Sequence, residues 1–103
     1  MHFWASWCPV CRVEQDSIAS IAADLPVMTV ATTSGSAEEI NAYLIEQGLV
    51  MPVLMDEDGE IARSWGVSGV PATFIVDTSG DISHAGMGYA TELGMRLRLW
   101  LAE

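Results

Sequence analysis

Cys8 and Cys11 are the only cysteines in the chain, set three apart in "FWASWCPVCR" (residues 3–12) with Pro9 and Val10 between them. Such a pair suits three chemistries: half of a metal site, a structural staple, or a dithiol that exchanges electrons. Structural zinc takes four ligands. His2 and His84 are the only histidines available to complete a set, and they lack the close spacing of a zinc finger. A disulfide closing so short a loop removes little unfolded-state entropy, so a stabilising role is weak. Exchange chemistry fits better. If a helix starts at Pro9, its unpaired N–H groups favour thiolate at Cys8. Cys11, one turn on, shares that face and can attack a mixed disulfide formed at Cys8. This reading wants Cys8 exposed and Cys11 merely close. Two rivals use the same residues: a copper module with both sulfurs as soft Cu(I) ligands, and a redox-inactive interaction domain, against which the intact cysteines argue.

The elements that must position this pair are legible. Residues 1–5 read as a strand leading into the cysteine turn. Pro9 suits a first helical turn, where its missing N–H is no loss. Val10, Val13, Ile18, Ile21 and Leu25 then mark an apolar stripe that Pro26 ends. "VMTVAT" (27–32) reads as a buried strand, and Ser36-Ala37-Glu38-Glu39 as a capping box opening a helix that stops at Gly48. "VMPVLM" (50–55) reads as a strand, placed at a sheet edge by Pro52. "DEDGE" (56–60) lacks the later ligands of a calcium loop and reads as a solvated turn. A short helix reaches Trp65 and ends at Gly66. "PATFIVD" (71–77) and "ISHAGM" (82–87) form a hairpin about a turn at 78–81. Thr91 and Glu92 offer a cap and first-turn acid for a last helix carrying Leu93, Leu97, Trp100 and Leu101. The order implies an α/β domain: a mixed sheet with helices on both faces.

Composition excludes several partners. The 103 residues fit one domain, and half of them are apolar, enough for a single core. Fourteen acids stand against four arginines and no lysine, a net charge of −10. Nucleic acid demands a basic footprint that is missing here, and an anionic membrane surface is disfavoured for the same reason. The six methionines are scattered through apolar runs and read as core rather than as copper ligands. Trp65 and Trp100 likewise read as packing. The opening Met1-His2-Phe3-Trp4 reads as the inside of a strand, which implies an upstream segment, such as a membrane anchor, ahead of it.

"FWASWCPVC" after a strand, with "GVPATFIVD" far downstream, resembles the thioredoxin superfamily, and within it the membrane-tethered cell-envelope branch. "VATTSG" (30–35) and "GMRLRLWLA" (94–102) are similar to the suppressor-of-copper-sensitivity thioredoxin-like proteins. The resemblance implies one thioredoxin-fold domain over residues 1–103, with a central helix/strand insertion. It also implies a periplasmic thiol–disulfide oxidoreductase that needs no cofactor or metal, and whose partners are protein thiols, protein disulfides and a membrane redox protein. In that family Trp7 flanks the site, Cys8 attacks, Cys11 resolves, and Pro71 is a cis-proline whose loop lies against the dithiol. Val70 would then offer its backbone to an extended substrate. Two departures stand out. His2 replaces the buried Asp or Asn of relatives, and reads either as a satisfied core histidine or as a proton relay to Cys11. The stretch Thr32-Thr33-Ser34-Gly35 lacks the carboxylate that envelope reductases often carry after the second core strand.

Overall fold

The computed structural model describes residues 1–88 and 91–101. The ends of the expected 1–103 unit and of the 94–102 tail therefore lie outside the described residues. Five strands and four helices alternate: β1 (His2–Trp4), α1 (Pro9–Asp24), β2 (Thr29–Thr32), α2 (Ala37–Gln47), β3 (Val53–Asp56), α3 (Glu60–Ser64), β4 (Ala72–Val76), β5 (Ile82–Met87) and α4 (Glu92–Leu101). The sheet order is β3-β2-β1-β4-β5. β1 runs parallel to β2 and antiparallel to β4, with His2 opposite both Thr29 and Thr73. That mixed pairing fixes the site, because β1 ends beside the start of β4.

Central β1 is buried along its whole length, and its residues serve opposite layers. Phe3 joins Val30, Ala62 and Val67 under α3, with the Trp65 and Phe74 rings at 5.9 and 5.8 Å. Trp4 instead joins Ala31, Cys8, Cys11 and Ile40 on the α1 and α2 side. α4 closes that side through Met95 against Ile18 and Ile21.

The start and stop signals act as their chemistry dictates. Ser36 and Glu39 form the reciprocal capping box, and Gly48 closes α2 in the left-handed region at φ 67°. β3 is an edge strand. Thr91 Oγ1 accepts from the Gly94 N–H at 3.1 Å and caps α4.

Four expectations need correcting. The buried face of α1 is Cys11, Glu14, Ile18 and Ile21, whereas Val10 and Val13 are exposed. Packing against β1 rotates the helix about one residue from the stripe that hydropathy suggests. On α4, Leu93, Leu97, Trp100 and Leu101 all face outward, since the helix packs toward α1 through Met95 and Leu99. Met28 and Met87 are exposed too, so the methionines are not uniformly core. Asp56, expected in a solvated turn, is buried. Its carboxylate accepts from Ile61 N–H (2.9 Å), Ala62 N–H (3.0 Å) and the Thr32 hydroxyl (2.8 Å), anchoring α3 to β2.

Candidate active site

Cys8 is the N-cap of α1, with Pro9 at its first position. The Cys11 N–H donates to Cys8 Sγ at 3.2 Å, so a free donor of the first helical turn points at this sulfur. Both cysteines are unpaired thiols and both are buried. The expected exposed nucleophile is therefore not observed. Residue 70 explains why: the Val70 carbonyl oxygen lies 3.7 Å from Cys8 Sγ and covers it. The Val70–Pro71 peptide is cis, and the Pro71 side chain is fully buried.

Burial acts on the Cys11 thiol. It is the main cause that pushes the Cys11 thiol up to about 12, aided by the hydrogen bond with Cys8 and opposed by a backbone bond from Ala5. Nearby negative charge, including that of Glu14, pushes the same way. At neutral pH Cys11 holds its proton and needs an acceptor before it can attack.

A buried carboxylate that sequence reading missed lies on the same helix. Glu14 is 1% exposed, one turn beyond Cys11. Its Oε1 lies 3.3 Å from His2 Nε2. His2 Nδ1 is in turn 2.9 Å from Thr73 Oγ1, its cross-strand neighbour. Helix α1, β1 and β4 thus each supply one polar group to a buried row beneath the dithiol. A signal existed: Glu14 falls at the three-residue spacing from Cys11 that Ile18 and Ile21 continue. Desolvation by burial lowers the His2 pKa from 6.5 to about 3 and keeps the ring neutral. Because the folded state resists this proton, stability should fall with acid from pH 6.5 down to about 3. The slope is at most about 1.4 kcal/mol per pH unit. His2→Asn should flatten that slope in urea titrations across the range. An unchanged slope would place the acid sensitivity elsewhere.

The rim is mostly exposed. Trp7 is 62% exposed, yet its indole N–H donates to the Thr33 carbonyl at 3.0 Å, which fixes the ring beside the dithiol. Pro9 and Val10 form the outer surface of the turn. Arg12 is tied back, its Nε donating to Ser6 O at 2.9 Å and its guanidinium 5.3 Å from the Tyr43 ring centre. Cys8, Cys11, Trp7, Pro9, Val10, Val70 and Pro71 gather at one end of the sheet. His2 lies below them, linked through Glu14. Among the described residues no three His, Cys, Asp or Glu side chains cluster as metal ligands.

Comparison with known proteins agrees with this geometry. Residues 1–85 match the family model described as the AhpC/TSA family. A thiol:disulfide interchange protein DsbE homolog of Paracoccus denitrificans is 39% identical over 89 residues, covering 85% of this chain and 49% of that protein. A thioredoxin-like protein of Haemophilus influenzae is 30% identical over 104 residues, covering all of this chain and 62% of the other. The chain thus spans about half to three-fifths of the length of these relatives. Among solved structures, the exposed lipoprotein thioredoxin Etrx1 of Streptococcus pneumoniae superposes with a TM-score of 0.81 at 24% identity, covering 97% of this chain and 81% of that one. The buried N-capping cysteine, its partner one turn on and the mixed five-stranded sheet behind them are thus set on a thioredoxin fold, and the chain belongs to the AhpC/TSA family.

Proposed function

We propose that the protein is a thiol–disulfide oxidoreductase that exchanges electrons with protein substrates through Cys8 and Cys11. One observation carries this reading: a sulfur that receives a helix N-terminal N–H sits 3.7 Å from the backbone edge of Val70. The relatives named thiol:disulfide interchange proteins support it. In the reductive direction, the Cys8 thiolate attacks a substrate disulfide, forming a mixed disulfide and releasing one substrate thiolate. Glu14 takes the Cys11 proton, with His2, oriented by Thr73, beside the carboxylate. Cys11 then attacks Cys8 Sγ, closes the Cys8–Cys11 disulfide and releases the second substrate thiolate. The oxidative direction is the reverse, and the reduction potential against that of the compartment selects between them.

The same reading sets the protein in the cell envelope, recharged by a membrane thiol–disulfide partner and related in role to the copper-sensitivity suppressors. Two things support that location: the resemblance of the cysteine and proline segments to envelope proteins, and the likeness to an exposed lipoprotein thioredoxin. No helix among the described residues is long and apolar enough to cross a membrane.

Reduction of insulin by dithiothreitol should accelerate with the wild type and fall to background with Cys8→Ser. In the reduced protein, iodoacetamide should label Cys8 before Cys11 at neutral pH, because Cys11 is pushed up to about 12. Activity that survives Cys8→Ser, or first labelling at Cys11, would overturn the assigned roles. The copper alternative would show instead as tight Cu(I) binding by the dithiol with no insulin turnover.

A further inference from the structure

A groove of about 200 Å³ runs from Val70 past the Trp7 ring to α3, lined also by Thr33, Gly59, Ser68 and Arg63. Val70 belongs both to this groove and to the cover over Cys8. A substrate segment paired with the Val70 backbone would therefore send a neighbouring side chain into it. Arg63 is the only charged residue in the lining.

The guanidinium of Arg63 is oriented but not ion-paired. Among the described residues Arg96 alone of the four arginines is ion-paired, with Asp24 at 2.9 Å and Glu92 at 3.0 Å, whereas Arg12 and Arg98 bond neutral groups. Arg63 has no salt bridge among the described residues. Its Nη1 donates to the Asp58 carbonyl at 3.0 Å, a neutral acceptor that orients the guanidinium without cancelling its charge. The close approach depends on Gly59: a Cβ there would stand 3.3 Å from Arg63 Nη1 and 3.3 Å from Thr33 Cγ2. The nearest acid by electrostatic effect, Asp56, has its oxygens occupied by Ile61, Ala62 and Thr32. Asp58 and Glu60 are exposed to water. Arg63 is exposed as well, so its remaining guanidinium donors are open to water or to a ligand in the groove. Planar forked donors of this kind suit a carboxylate.

We propose that Arg63 is a specificity-determining residue that selects substrates with an Asp or Glu side chain close to the reactive cysteine. This assignment rests on the oxidoreductase reading. The test uses short peptides carrying one cysteine as its mixed disulfide with thionitrobenzoate, with Glu or Gln placed in turn at each of the three positions on either side. Reduced protein is mixed with each peptide and the released chromophore gives kcat/KM. At one position or more the Glu:Gln ratio should drop about fivefold in Arg63→Gln relative to wild type, and Arg63→Glu should lower it further. Arg12→Gln, on the other side of the dithiol, should leave the ratio within about twofold, and the drop should shrink in high salt. Long-range repulsion by the acidic chain is common to all variants and cancels in the comparison. An unchanged ratio in Arg63→Gln at every position overturns the assignment, as does an equal drop in Arg12→Gln. Failure of the wild type to react with any peptide overturns the oxidoreductase reading itself, and this assignment with it.

Discussion

Glu14→Gln should slow the release of substrate from the Cys8 mixed disulfide by about 10²-fold, the usual worth of a positioned proton acceptor. The step at risk is deprotonation of Cys11, whose thiol is pushed up to about 12 by burial. With Gln, hydroxide must remove that proton, so the release rate should climb with pH across the neutral and alkaline range. The wild-type rate, with an internal acceptor, should depend less steeply on pH over that range. Cys8 alkylation, which needs no proton from Cys11, should change far less. Stability supplies the control. A carboxylate that is 1% exposed carries a desolvation cost, so Glu14→Gln should unfold at an equal or higher urea concentration. Slow release alongside retained stability separates proton transfer from structural damage. Matching release rates and pH profiles in the two proteins would remove Glu14 from the mechanism.

Asp56→Ala should have the largest effect on stability, about 2–4 kcal/mol, with Tm lowered by about 10 °C or more. The substitution strands two backbone N–H groups and the Thr32 hydroxyl, all of which now donate to one carboxylate. Burial pushes the Asp56 carboxyl up. The bonds from Ile61, Ala62 and Thr32, with Arg63 nearby, outweigh it and hold the carboxyl below its ordinary value of 3.8. Since the folded state prefers the ionised form, this contribution is present above pH 3.8 and is lost as pH falls through the lower folded value. Denaturant midpoints at pH 7 and pH 3 should therefore differ less in Asp56→Ala than in wild type. Asp56→Asn should lie between them, as it keeps an acceptor but no charge. A midpoint within 0.5 kcal/mol of wild type, on the scale of an ordinary surface change, would refute the anchoring role. The loss also reaches the site, because Asp56 holds α3 and α3 carries Arg63.

Much of this was readable from local signals. Pro9, the Ser36–Glu39 capping box, Gly48, Gly66 and Thr91 punctuate the chain through chemistry that acts within four residues, so element order and ends could be derived. The cysteine pair at a helix start stood out for the same reason. What escaped was set by tertiary rotation. Val13 beside Glu14 suggests that the valine turns inward, yet the pocket under β1 takes the glutamate, where His2, itself bonded to Thr73, meets it. The carboxylate missing from 32–35 was thus sought on the strand, while this chain carries one on the helix. Asp56 was misjudged because its partners are backbone groups, which no side-chain pattern reveals. Arg63 gains meaning only once α3 is folded beside Trp7, 56 positions away in sequence.

The antiparallel seat of β4 beside β1 has a kinetic consequence. Cys8 and the Val70 carbonyl that covers it are 62 positions apart. Closing a loop of that length costs about 3–4 kcal/mol of chain entropy before any contact repays it. Residues 1–56, which hold β1, α1, β2, α2 and β3 in parallel neighbour pairing, can assemble through shorter separations. By loop length alone, Cys8 would be in place before the hairpin from 72 to 87 docks and covers it. A chain leaving the ribosome or crossing a translocon would pass through an interval in which its thiol is open to any disulfide nearby. Folding order therefore gives the cover over Cys8 a second duty, as the event that turns an indiscriminate thiol into a selective one.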